Sequence, residues 1–176
     1  PAFENTNIAL LQQFIKQNSF KNGHIVIIDT PAGTSQRLWN LVAESYCVLI
    51  PTSLSNADLA PTESFIKSMD KVKARYNQIY PHLVVCPNKI PFGQKDYSIM
   101  AKRLSNHDVV IGPAIRDLAS VRHFYNGNYK MNEGQNAGED FGRFGDFVNK
   151  FVVKGELDKI YHNGKNNLNV VPFSKG

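Results

Sequence analysis

Short β-branched runs alternating with helical patterns along 176 residues predict an α/β fold of three layers, with a mainly parallel central sheet flanked by helices. Three observations carry that expectation. The apolar runs show no polar alternation, as in parallel strands covered on both faces. The segments between them space apolar residues at three and four, the mark of amphipathic helices. The length fits one domain, for which ~100–200 residues is usual. Apolar residues at 42% and charged residues at 20% exclude an unfolded chain. No apolar run nears the ~20 residues that a bilayer requires. The chain does not open with a basic stretch leading into an apolar core, so no signal peptide is expected and a cytoplasmic location is the default.

The elements follow in order. Ile8, Leu11, Phe14 and Ile15 predict a helix within residues 6–18, ended by Lys21-Asn22-Gly23. His24-Ile25-Val26-Ile27-Ile28 reads as a buried strand that stops at Asp29-Thr30-Pro31-Ala32-Gly33. Leu38, Trp39, Leu41 and Val42 predict a helix over residues 35–45, and Tyr46-Cys47-Val48-Leu49-Ile50 a strand stopped by Pro51. Residues 56–76 read as a long helix with Leu59, Phe65, Ile66, Met69 and Val72 inward, Asp58 or a neighbouring Ser as cap, and Pro61 in the first turn. Leu83-Val84-Val85-Cys86 is the third strand, residues 97–104 a helix, and Asp108-Val109-Val110-Ile111 the fourth strand, ending in Gly112-Pro113. Helices are expected over 115–125 and 138–153, and a surface loop over 126–137. Residues 1–154 form the expected domain, and 155–176 a polar tail that ends in the apolar segment Leu168 to Phe173.

Cys47 and Cys86 each lie in an apolar run and read as buried reduced thiols; no C-x-x-C or Cys/His spacing points to zinc. The net charge of +5 is compatible with a polyanionic partner and equally with a soluble protein that is simply basic.

Ligands of open parallel sheets bind beyond the carboxyl ends of the strands. Here those positions hold Asp29 to Gly33, Pro51-Thr52-Ser53, Pro87-Asn88-Lys89 and Gly112-Pro113. A carboxylate at the end of a buried strand is costly unless a cation or hydrogen bonds compensate. Asp29 is therefore a candidate for Mg²⁺ held through water, with Gly33 allowing close approach of a γ-phosphate; Asp29 as a helix cap is the plain alternative.

The string Ile25-Val26-Ile27-Ile28-Asp29-Thr30-Pro31-Ala32-Gly33, followed by Val48-Leu49-Ile50-Pro51-Thr52 and a long helix, resembles the ParA and MinD family of deviant Walker ATPases, from about Gly23 to Val153. The resemblance implies a P-loop NTPase-like fold in which that string is the Walker B and switch II region. It implies that Asp29 holds the magnesium-bound water and is the catalytic and metal residue, with Thr30, Pro31 and Gly33 sensing the γ-phosphate. Asn88 falls at the family's base-contacting Asn and Pro113 at the adenine pocket; a turn-forming Asn and a helix start are the alternatives. ATP or ADP with Mg²⁺ is the implied cofactor set, and dimer switching that positions plasmids or chromosomes the implied purpose. A homodimer across the nucleotide face and a ParB-like adaptor are the implied partners.

The family's phosphate loop, Lys-Gly-Gly-x-Gly-Lys-[Ser/Thr], does not occur in the sequence. Without its N–H cradle and Lys the β- and γ-phosphates lack a positive seat, so this chain alone is expected to bind and hydrolyse ATP poorly or not at all. Asn169 to Gly176 resembles the family's first strand running into the opening Lys-Gly of that loop, which would make Lys175 the loop's first lysine; a coincidental apolar tail is the alternative. The expectation is an incomplete or reordered ParA-like chain. Lys67, Lys71, Lys73 and Arg75, with Lys102, Arg103, Arg116 and Arg122, form a candidate surface for nonspecific DNA, or a solvated helix face. The Asn/Gly-rich residues after Lys154 hold no amphipathic membrane-targeting helix, which argues against the MinD branch and a membrane partner.

Three functions are thus expected in competition. The first is a partition-type ATPase. The second is a non-catalytic relative serving as an interaction module. The third, a flavodoxin-like binding domain without nucleotide, leaves Asp29 to Gly33 unexplained.

Overall fold

A computed structural model describes residues 8–18, 25–30, 36–77, 80–91, 93–94, 96–117, 136–156, 158 and 169–170. The chain divides into two compact units, Pro1–Ser45 and Tyr46–Gly176.

In the first unit α1 (Ile8–Asn18) and α2 (Gln36–Ala43) are in contact, and Leu41 is buried. Of the strand expected at residues 24–28, the described residues 25–28 form none: Ile25 to Thr30 are irregular backbone, with Ile25 59% and Ile27 88% exposed. β-Branching favours extended backbone, but a strand exists only where a neighbour takes up its N–H and C=O groups. Among the described residues none pairs with this segment.

The second unit is an α/β layer structure. Its strands β1 (Cys47–Thr52), β2 (His82–Pro87) and β3 (Val109–Ile111) are parallel, in that order, and the two-residue β4 (Asn169–Val170) extends the sheet beyond β3. Cys47 is level with His82 and Leu83 with Val109. Every residue of β2 is buried, as a central parallel strand requires.

Alternation along the strands assigns the two faces. On one face Val84, Cys86 and Val110 meet Phe147 of α5 (Asn136–Phe147) and Phe151 and Val152 of the π-helical turn Val148–Val153 that continues it. On the other, Thr62 of α3 (Asn56–Tyr76) donates to Thr52 of β1 at 3.0 Å. Leu59, Ile66 and Met69 of α3 are wholly buried, as are Met100 and Leu104 of α4 (Ser98–Leu104), which packs beside it. Each such side chain contributes ~1.5–3 kcal/mol by leaving water.

Helix α3 begins at Ser55, whose side chain accepts from the Asp58 N–H at 3.2 Å, and ends at Asn77 in the left-handed conformation, φ 50°. Pro61 lies in the second turn rather than the first, so the Ala57 carbonyl loses its helical donor; both residues are exposed, where water substitutes. Pro51 does not stop β1 but lies within it. Tyr46 and Thr52 direct their carbonyls to β2, accepting from His82 N at 2.9 Å and Asn88 N at 2.7 Å, so the backbone at Cys47, Leu49 and Pro51 faces the other edge. A proline there removes no bond from the ladder.

Two further expectations change. Ile115 to Asp117 are extended rather than helical, with Arg116 bridging to Ile90. Residues 136 and 137 begin α5 instead of ending a loop. The expected loop at 126–135 and the rest of the helix at 118–125 lie outside the described residues. Among the described residues no helix is long and apolar enough to cross a membrane.

Candidate functional site

The carboxyl ends of β1 and β2 open into a cleft of about 380 Å³. Its floor is the buried Thr52–Thr62 hydroxyl pair. One wall is the entrance to α3, where Ser53 Oγ donates to Asp58 Oδ2 at 2.5 Å. Asp58 and Thr62 are four residues apart and so share one face of the helix. Hydrogen bonds from Ser53 and Ser55, with the Lys89 charge behind them, hold the Asp58 carboxyl below its usual range. An anion in the first turn also complements the positive end of the helix.

Asn88 and Lys89 form the opposite wall. The ladder between the segments after β2 and β3 continues past them: Ile115 N donates to Pro87 O at 2.8 Å, Ile90 N to Ile115 O at 3.2 Å and Asp117 N to Ile90 O at 2.8 Å. Ile115 thus spans Pro87 and Ile90 with two residues between instead of the usual one; Asn88 N still donates to Thr52 O, which leaves Lys89 as the extra residue. Lys89 adopts φ 53°, and its N–H donates to Asn88 Oδ1 at 2.8 Å. A lysine in the left-handed region costs about 1 kcal/mol, a strain that clusters where a loop is shaped for contact.

Behind this loop, burial works against the charge of Asp140, but hydrogen bonds from Arg116 and Arg143 outweigh it and keep the carboxyl below its usual range. Arg116 donates to it from Nη2 at 2.8 Å and from its backbone N–H at 3.0 Å, and Arg143 Nη2 donates as well. This clamp fixes the segment after β3 to the start of α5.

The cleft offers hydroxyls, an amide, one carboxylate and one ammonium group. That donor set suits a polar ligand. It does not suit nucleophilic catalysis by Ser53, because a carboxylate held below its ordinary range is a poor base and, among the described residues, no histidine lines the cleft.

Of the expected site residues, Asn88 lines the cleft. Pro113 is buried in the adjoining segment and is not among the lining residues. Asp29 and Thr30 are exposed and end no buried strand, so the burial argument made for Asp29 does not apply. Pro31, Gly33 and Lys175 lie outside the described residues. Among the described residues no group of three or more His, Cys, Asp or Glu could hold a metal ion. Asp29 is still a donor of the kind Mg²⁺ takes, since that ion normally combines one or two carboxylates with phosphate oxygens and water. Thr52, Ser53 and Lys89 were legible as residues following strands; Asp58 and Thr62 needed the position of α3.

The basic residues on α3 and α4 are mostly paired. Glu63 meets Lys67 Nζ at 2.6 Å and Arg103 Nε at 2.7 Å, and the buried Lys73 donates to Asp108 at 3.2 Å. Lys71 and Lys102 are exposed.

No family model, curated protein or solved structure matches the chain.

Proposed function

We propose that the protein is a ParA-like, nucleotide-dependent partition or positioning protein, and that the cleft beyond β1 and β2 receives the base and sugar end of ATP or ADP. The observation that carries the reading is Asn88, at the family's base-contacting position, on the wall of a polar cleft at the carboxyl ends of two parallel strands. The Asp29-Thr30-Pro31-Ala32-Gly33 string supports it from the sequence. By the resemblance, Asp29 of the first unit is the residue assigned to Mg²⁺ held through water. Within this chain Asn88 orients the base and Lys89 supplies a positive charge at the rim. Dimerisation across the nucleotide face, a ParB-like adaptor and nonspecific DNA belong to the same proposal.

Titration of a fluorescent ATP analogue, with magnesium present and omitted, tests it. Because the sequence lacks the phosphate-loop motif, binding is expected to be weak, on the order of millimolar, to improve with Mg²⁺, and to be lost in Asn88→Ala. Absence of binding, or binding indifferent to Asn88, would instead favour an interaction module that keeps the fold without the nucleotide.

A further inference from the structure

The two walls of the cleft carry opposite hydrogen-bonding character. On one, Lys89 N donates to Asn88 Oδ1 at 2.8 Å. A backbone N–H can only donate, so the atom it meets is the amide oxygen and the remaining amide atom is the amino nitrogen Nδ2. Among the described residues Nδ2 donates to no protein group, while the oxygen already holds the backbone. Lys89, pushed out of the ladder beside it, adds an ammonium group. This wall therefore offers donors.

On the other wall Asp58 is a carboxylate, which only accepts. Ser53 Oγ takes one of its roughly four lone-pair positions, at 2.5 Å from Oδ2. The bonds from Ser53 and Ser55 keep the group ionised, and the Lys89 charge reaches it from across the opening. Pro51 and Pro61 also line the cleft and give a flat ligand apolar ring surface to lie against. The volume of about 380 Å³ falls within the ~300–1,000 Å³ of small-molecule sites.

Resting on the reading of this cleft as the seat of a nucleotide's base and sugar, we propose that the base it selects is a 6-keto purine, guanine, over adenine. Guanine carries two adjacent acceptors, O6 and N7, on one edge and the donors N1–H and N2–H on the next. The Asn88 amino group and the Lys89 ammonium suit the first edge, and Asp58 suits the second. Adenine reverses the pattern. Its N6 amino group brings a donor to a wall of donors, and its bare N1 turns a lone pair toward the carboxylate. An asparagine that reads adenine does so with both amide atoms, accepting from N6 and donating to N7. In Asn88 the oxygen is already engaged by the Lys89 N–H. A site whose polar groups are left unpaired by the wrong ligand rejects it more strongly than an apolar site does. ATP and ADP then enter the cleft as its weaker purine ligands.

Amide NMR titrations of the whole chain with GMP, IMP and AMP, which share sugar and phosphate, isolate the base. Shifts at Asn88 and Lys89 should saturate at about tenfold lower GMP than AMP. IMP should fall between them, since it keeps O6, N7 and N1–H but lacks the 2-amino group. Asn88→Asp keeps an oxygen for the Lys89 N–H and puts an acceptor where the donor stood, so it should erase the preference. Should that variant fail to fold, Asp58→Asn, which gives the opposite wall a donor, should erase it likewise. Equal affinity for GMP and AMP, tighter binding of AMP, or a preference unchanged in the folded variant overturns the choice of base and leaves the nucleotide site standing. Absence of shifts in the cleft with all three and with ATP overturns both.

Discussion

The two ends of one parallel sheet spend their polar groups differently. At the carboxyl ends of β1 and β2, hydroxyls, Asn88 and Lys89 line an open cleft, and Lys89 is held in a left-handed conformation. At the amino ends, Tyr46, Tyr80 and His82 turn their polar atoms onto the single carboxylate of Asp158. Both ends bond polar groups within the chain, but the first keeps them along an open cleft, whereas the second gathers them on one carboxylate. A left-handed lysine at one end and a shared carboxylate at the other set the two apart.

The largest effect should come from the clamp behind the cleft. Asp140→Ala leaves Arg116 and Arg143 without their shared acceptor and should cost about 3 kcal/mol in urea unfolding, the low end for a broken buried pair because Arg143 is 38% exposed. A cost under about 1 kcal/mol would show that the arginines find water at little expense.

At the amino end, Asp158→Asn should cost about 1.5–3 kcal/mol, the worth of hydrogen bonds to a charged group. Acid probes the same place. The folded chain favours neutral His82, so below the ordinary histidine range, about 6.5, the unfolded chain takes up more protons than the folded one. The His82 contribution is therefore complete above that pH and declines as pH falls toward the depressed folded value. His82→Gln should flatten this slope in pH-dependent denaturation; an unchanged slope would place the sensitivity elsewhere.

The smallest effect should have the opposite sign. Lys89→Gly removes the left-handed penalty and should stabilise the chain by up to about 1 kcal/mol while weakening anion and nucleotide binding. Loss of stability without loss of binding would mean that the loop is structural, like the amino end.

Much of the second unit was legible in the sequence. The unbroken runs at Val48 and Leu83 announced parallel strands, and the spacing from Leu59 to Val72 announced α3. Pro51 misled because proline ends a strand only when its missing N–H belongs to the ladder, and here it faces the other edge. Ile25 to Ile28 misled because composition marks a capacity to form a strand, whereas pairing depends on a neighbour. The post-strand triplets located Asn88 and Lys89 in the cleft. Asp58 and Thr62 were hidden, since they reach it only through the direction in which α3 leaves β1. Asp158 was hidden further, 76 residues from His82 in sequence.

A backbone amide NMR titration of the whole chain with Mg·ATP compares both ends in one measurement. Shifts concentrated at Thr52, Ser53, Asn88 and Lys89, with Tyr46 and His82 unmoved, are the predicted result. Shifts absent from the cleft at millimolar nucleotide, or spread equally over both ends, would contradict it.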